Sequence, residues 1–372
     1  MTENEVPVAV ATAMSEEKKG PNAVVRFFRK VYNPVGFQRG YNFILWFITC
    51  GALLGFSLAR MPALNFNGYC DPAVSPVLPS TCYWFQPGTV NRIGLILHLA
   101  GILPAGILVV LQFTPYIRHK VILFHRINGY LVILLSVVGI TGVFMITRRS
   151  FGGDLGVQTV GGLSSIMFLV SMLIAYINIK RLQIEQHRAW MIRAWGYAGF
   201  IITLRLLGEI VGPISLSGND PTYQASQPCY IVDFMKGGNR EWVLSLYPEC
   251  ADYYSGLDPQ RHVAVMANIE SESISEISAG FNTVASGVSW LALAIHAILA
   301  ELYLHLTPKE SERLRCVSYQ RQLEAGFKNP GNAGLTVQRL GDAEPWLPPH
   351  ERPGASDKPQ EQGSPMPSPN FV

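Results

Sequence analysis

The sequence is short of charge. Asp, Glu, Lys and Arg make up 15% of its 372 residues against 49% hydrophobic, and the mean hydropathy is +0.21. A soluble domain of this size carries nearer a quarter charged residues, so the composition excludes that class and points to a membrane protein. An excess of basic charge is also lacking. The formal net charge is +3 and the basic residues are spread between apolar runs, which excludes nucleic-acid binding as the main function. No HExxH, GxxxxGK[ST], GxSxG or CxxC occurs in the chain, and zinc proteolysis, ATP-driven pumping and serine hydrolysis are set aside with them. Nor is there a short apolar run near the start. The first run begins about 40 residues in, behind a charged segment, and reads as a retained span rather than a cleaved signal peptide.

What is present is a set of stretches free of Asp, Glu, Lys and Arg: Gly40 to Ala59, Ile93 to Ile117, Ile127 to Thr147, Leu155 to Ile179, Ala194 to Leu204 and Ile277 to Ala300. All but the fifth hold 20 residues or more, enough at about 1.5 Å per residue to cross a hydrocarbon core of about 30 Å. The fifth is cut short by Arg205. The expected fold is an all-α integral membrane protein, a six-span helical bundle. Its expected parts are a leader (1–39), spans one to five (40–212), an outer loop or cap (213–276), span six (277–305) and a tail (306–372).

Basic residues set the expected orientation. Arg26, Arg29, Lys30 and Arg39 precede span one, Arg118, Lys120 and Arg126 lie between spans two and three, and Lys180, Arg181, Arg188 and Arg193 between four and five. The opposite loops carry fewer, so both termini are expected in the cytosol. Cys70 and Cys82 in the first outer loop and Cys229 and Cys250 in the last fall on the other side, where disulfides persist. This implies a membrane of the secretory pathway, with endoplasmic reticulum, plasma membrane and vacuole not distinguished. Three pairings are open, and short loop closure favours the one that staples each loop to itself. Around Arg26, Arg29 and Lys30 the leader alternates with Phe27, Phe28, Val31 and Tyr32, the pattern of an interfacial helix or of a solvated leader with a few anchors. From about Gly326 the chain is rich in Pro and Gly without apolar periodicity, and a disordered tail is expected.

Two groups of polar residues fall at membrane depth. His98 in span two lies about 9 Å below the outer surface and Arg205 in span five about 12 Å. Glu209 follows Arg205 at i+4, on the same helix face. These three are candidates for an outward-opening site for an anionic or amphiphilic ligand, or else for a packing pair with His98 bonded to a carbonyl. At the inner interface, His125-Arg126 opens span three and His187-Arg188 opens span five, with Arg193 following. Imidazoles at one depth on two helices can ligate a haem iron from both sides, and arginines beside them can receive propionates or an anionic donor. The other reading of the His-Arg pairs is interfacial anchoring.

With His98, Pro104 and Gly106 in span two, HRINGY at span three and EQHRAWMIRAW with LRL in span five, the chain resembles an uncharacterised family of multi-pass membrane proteins known only as a domain of unknown function. The long loop before the last span is like that of its fungal-type members. The similarity covers roughly Ile93 to Val211 and implies a membrane protein, not a reaction. A more distant, partial similarity is to cytochrome b561-like transmembrane haem proteins, whose four central helices hold two bis-His haems. Here span four has no histidine, so that similarity implies at most one b-type haem, on His125 and His187. Three functions are carried forward: a membrane oxidoreductase or electron-transfer subunit with a redox partner; a non-redox carrier using His98, Arg205 and Glu209; and an accessory membrane component of a biosynthetic pathway.

Overall fold

The computed structural model describes residues 23–71, 77–216 and 223–352. In hydrocarbon each backbone N–H and C=O must be paired within its own segment, so the long apolar runs become helices. Helix α1 (Ala23–Tyr32) presents Phe27, Phe28 and Val31 outward, and α2 (Gly40–Arg60) is span one. The short α3 (Pro79–Trp84) lies in the following loop. Span two is α4 (Val90–Phe113), started by the Thr89 hydroxyl, which accepts from the Arg92 N–H. Helix α5 (Pro115–Lys120) turns the chain into span three, α6 (Ile122–Ile146). Span four is α7 (Leu155–Lys180), capped by the Asp154 carboxylate accepting from Val157 N–H at 2.8 Å. Span five is two helices, α8 (Ile184–Ala198) and α9 (Phe200–Leu216), which run on past Arg205 and carry Glu209 one turn later.

The segment between spans five and six is a folded cap. Strand β1 (Gln224–Pro228), helices α10 (Cys229–Met235), α11 (Arg240–Leu246) and α12 (Ala251–Ser255), and strand β2 (His262–Met266) enclose Val232, Val243, Val265 and the Cys229–Cys250 disulfide. The strands pair antiparallel, Gln224 opposite Met266 and Pro228 opposite His262, a small sheet in an otherwise helical chain. Span six is α13 (Ile274–His305), followed by α14 (Pro308–Glu324) and α15 (Val337–Leu340).

Six segments, Gly40–Leu64, Val90–Phe113, Ile122–Arg149, Leu155–Lys180, Ile184–Leu216 and Ile274–His305, are long and apolar enough to cross a membrane. Six crossings bring α1 and α14 to one side, the terminal face. The first, third and fifth loops meet on the other, the disulfide face. There Cys70 joins Cys82 and Cys229 joins Cys250, the within-loop pairing that short closure favours. The Ser80 and Ser278 hydroxyls bond at 2.5 Å and the Tyr83 and Tyr230 rings lie 5.3 Å apart, so the first loop supports the cap.

Spans two and three are in backbone contact. A Cβ on Gly101 would stand 2.6 Å from the Gly139 nitrogen and the Leu135 oxygen, and one on Gly142 would strike the Gly94 and His98 backbone. Glycine on both sides is what lets the two helices approach so closely.

The tail departs from expectation. Residues 326–352 fold back over the junction of α7 and α8 instead of trailing free. Gln183, fully buried, donates to the Glu185 carboxylate (2.6 Å) and the Gly331 carbonyl (2.9 Å), and its own oxygen accepts from Gln322 (2.9 Å) and Gly334 N–H (2.8 Å). Asn178, also fully buried, accepts from Leu335 N–H at 2.7 Å, and Ser318 donates to Glu185 at 2.7 Å. A segment held by amide hydrogen bonds needs no apolar period, which is why composition misread it. The remaining leader and tail residues, 1–22 and 353–372, lie outside the described residues.

Candidate functional site

The structure does not make one site of His98, Arg205 and Glu209. The close packing of α4 on α6 places His98 Nδ1 3.1 Å from the Gly139 carbonyl, so the ring donates to it. Arg205 faces elsewhere, with its guanidinium 5.0 Å from the Phe151 ring and within electrostatic reach of Arg60, Tyr69 and Glu209, but not of His98. Arg205 and Glu209 share a helix face, as their spacing requires. His98 is held on α4 by a partner of α6, whereas Arg205 on α9 is surrounded by Phe151, Tyr69, Arg60 and Glu209.

His125 and His187 both stand at the terminal face, within electrostatic reach of one another. His125 stands in the first turn of α6, which Gln112 and Asn128 hold against α4: Gln112 donates to the His125 carbonyl at 2.9 Å, and Asn128 donates to the Leu108 carbonyl at 3.0 Å. His187 stands in the first turn of α8, whose start the Gln183, Glu185 and Ser318 network fixes. Its Nδ1 lies 3.0 Å from the Ala175 carbonyl. A carbonyl only accepts, so Nδ1 carries the hydrogen and Nε2 presents its lone pair. His125 Nδ1 is buried with no hydrogen-bond partner among the described residues. The charges of His187, Arg118, Arg126 and His119 all bear on the His125 ring.

The arginines divide. Arg193 is committed to Glu301 through two bonds of 2.6 and 2.8 Å and lies over the Trp190 ring, so it does not receive a donor at the histidines. Arg188 gives an N–H to the Tyr303 hydroxyl at 3.0 Å. Arg126 is exposed and adjacent to His125. Arg118, on the turn between spans two and three, reaches both histidines electrostatically and was not singled out from the sequence. The signal was there in the Arg118, Lys120, Arg126 cluster, but only the fold of α5 turns Arg118 inward.

His296 on span six has both ring nitrogens in use. Nδ1 donates to the Gly196 carbonyl and Nε2 accepts from the Thr203 hydroxyl, each at 2.7 Å. It sits where α8 gives way to α9, beside Gly199, where a Cβ would come within 2.9 Å of the ring. Its role is to pair the backbone at that break.

The stretch from span two to the start of the cap, which carries His98, His125 and His187, is matched by a family model. Residues 95–225 match the family described as Predicted membrane protein (DUF2306). The DUF2306 segment contains His98, His125, His187, Arg205 and Glu209, and leaves out span one, most of the cap, span six and the tail. In an alignment of 321 positions that takes in 73% of its length, the chain is 22% identical to the Ava biosynthesis cluster protein G of Aspergillus versicolor and covers 90% of that protein. No solved structure matches the chain.

Proposed function

We propose that this integral membrane protein is an electron-transfer component of a biosynthetic pathway, holding a b-type haem between His125 and His187 near a cytosolic terminal face. The observation that carries the reading is the pair of imidazoles at that face. One ring nitrogen is buried without a partner, and across from it stands a histidine whose tautomer is fixed so that Nε2 is free, the arrangement a metal-binding histidine takes. No group of three or more His, Cys, Asp or Glu side chains that could hold a metal ion is found among the described residues, whereas haem needs only two protein donors. A bound haem would supply one-electron transfer. The protein supplies orientation: Ala175 sets the His187 ring, Gln112 and Asn128 set the turn that carries His125, and Arg126 and Arg188 add positive charge beside them. A pathway role is supported by the relative named for a biosynthesis cluster. The disulfides on the opposite face support a secretory-pathway membrane with the terminal face in the cytosol.

A second reading, a carrier for an anionic or amphiphilic metabolite, draws on Arg205. That side chain lies under the disulfide face with no carboxylate within 4.0 Å among the described residues, and with Phe151 and Tyr69 around it. Saturable binding lost in Arg205→Ala but kept in His125→Ala would select this reading.

The deciding measurement is the absorption spectrum, oxidised and dithionite-reduced, of detergent-purified protein expressed with ample haem, with haem assayed chemically on the same sample. A reducible b-type signal is expected, lost in His125→Ala and in His187→Ala and retained in His98→Ala. A colourless, monodisperse preparation would overturn the haem reading.

A further inference from the structure

Three arginines from separate parts of the chain meet one carboxylate at the terminal face. Arg118 on α5, Arg188 on α8 and Arg313 on α14 all lie within electrostatic reach of Glu310. Arg118 is also within reach of the other two arginines and of Tyr303. Glu310 is taken by Arg313 through two bonds of 2.8 Å. Arg188 spends one N–H on the Tyr303 hydroxyl and rests over that ring, which is itself positioned by donating to Asn42 at 3.4 Å. Arg118 has no hydrogen-bonded partner among the described residues; only burial and the charges of its neighbours act on it. Burial draws its pKa below the ordinary value, with Glu310 opposing and Arg188 and Arg313 adding. A guanidinium nevertheless stays charged at any physiological pH.

Three guanidinium groups against one carboxylate leave two positive charges unmatched, in a place where Arg118 and Arg188 are withdrawn from bulk water. Charge at an exposed surface is screened by salt, but a partly buried cation needs a fixed counter-charge and fixed acceptors. The guanidinium fork suits the oxygens of phosphate, and several arginines can share its faces. The position is also that of lipid headgroups, since α5 joins spans two and three and α14 follows span six at once. The cluster is built by the fold. Tyr116 N–H bonded to the Val35 carbonyl at 3.0 Å ties α5 to the leader, and the Gln183 network ties α14 to α8.

We propose that Arg118, Arg188 and Arg313 bind a phosphate dianion, the terminal phosphate of a phosphomonoester, at the terminal face. Its source is either a lipid of the adjoining leaflet or a soluble phosphoester. The site stands on its own electrostatics and does not depend on haem.

The test is titration calorimetry of the full-length protein in neutral maltoside detergent. The probes are inorganic phosphate, glycerol 3-phosphate and dihexanoyl phosphatidic acid, compared with chloride at matched ionic strength. Saturable binding of the phosphate probes is expected, weakened about tenfold or more in Arg118→Met and Arg313→Gln and unchanged in Lys120→Met. Glu310→Gln removes the competing carboxylate and should tighten binding several-fold, a gain that misfolding cannot mimic. Phosphatidic acid binding far more tightly than glycerol 3-phosphate identifies a lipid source and equal binding a soluble one, and both uphold the site. Loss of phosphate selectivity over chloride, or unchanged binding in both Arg118→Met and Glu310→Gln, overturns it. Binding that emerges only in His125→Ala also overturns it, because the arginines would then serve a ligand held by that histidine. A colourless wild-type protein that still binds phosphate would leave this site standing while the haem reading falls.

Discussion

At the scale of single residues, the histidines show what a sequence count registers and what it misses. His98, His125, His187 and His296 all stand at membrane depth, and in a list they are alike. In the structure His98 and His187 each give Nδ1–H to a carbonyl, His296 uses both nitrogens, and His125 Nδ1 has no partner among the described residues. Depth follows from position along a helix and was legible. Hydrogen bonding depends on the neighbouring helix and was not. The same partners give a stability prediction. Replacing His296 by Phe keeps the bulk but takes away the Thr203 hydroxyl's partner and one of the two donors to the Gly196 carbonyl, at about 1–3 kcal/mol in all. Thermal unfolding in detergent, followed by tryptophan fluorescence, should fall by several degrees. The exposed His305, which bonds only the Glu301 carbonyl of its own helix, should tolerate Ala with little change. Equal effects at the two positions would refute the bridging role of His296.

At the scale of elements, the spans were legible because uninterrupted apolarity is a strong signal, and both cap and tail were harder. The cap is a disulfide-held unit as the cysteines imply, but its core is assembled from three short helices and two short strands that show no long period. The tail was taken as disordered from Gly326 because it lacks apolar periodicity, yet it is stitched to α7 and α8 by Asn178, Gln183, Glu185, Ser318 and Gln322. Gln183 satisfies both donors and both acceptor positions of its amide in this network. Gln183→Leu would strand the Glu185 carboxylate, the Gly331 carbonyl, the Gly334 N–H and the Gln322 amide together. Such a half-satisfied network is worse than an apolar contact. The expected result is release of residues 326–352, read as trypsin cleavage at Lys328 or Arg339 in the variant under conditions where wild type resists. Identical digestion patterns would show that the tail is held by something other than this network.

At the scale of the whole molecule, the two faces are held by different means, and that difference bears on orientation. The disulfide face carries both crosslinks, whereas the terminal face holds its tail by hydrogen bonds, the Arg352–Glu312 ion pair and the packing of Trp346 on Tyr319, and keeps Cys316 as a free thiol. This division suits the orientation proposed above, with the terminal face in a reducing compartment. It also makes the cap separable from the bundle. The Cys229–Cys250 bridge closes a loop of 21 residues, for which chain entropy alone is worth about 3 kcal/mol. The spans draw on burial in lipid and on the glycine contact of α4 with α6, neither of which involves that bridge. Cys229→Ser with Cys250→Ser should therefore lower the stability of the cap, seen as faster amide exchange in Val232, Val243 and Val265, while exchange in α4 and α6 stays at wild-type rates. The interface of Ser80 with Ser278 and Tyr83 with Tyr230 should loosen with the cap, because it docks on α3 and the start of α13. If exchange instead rose in the spans to the same extent, cap and bundle would be one cooperative unit, and the cap would have to be counted among the elements that hold the membrane helices together.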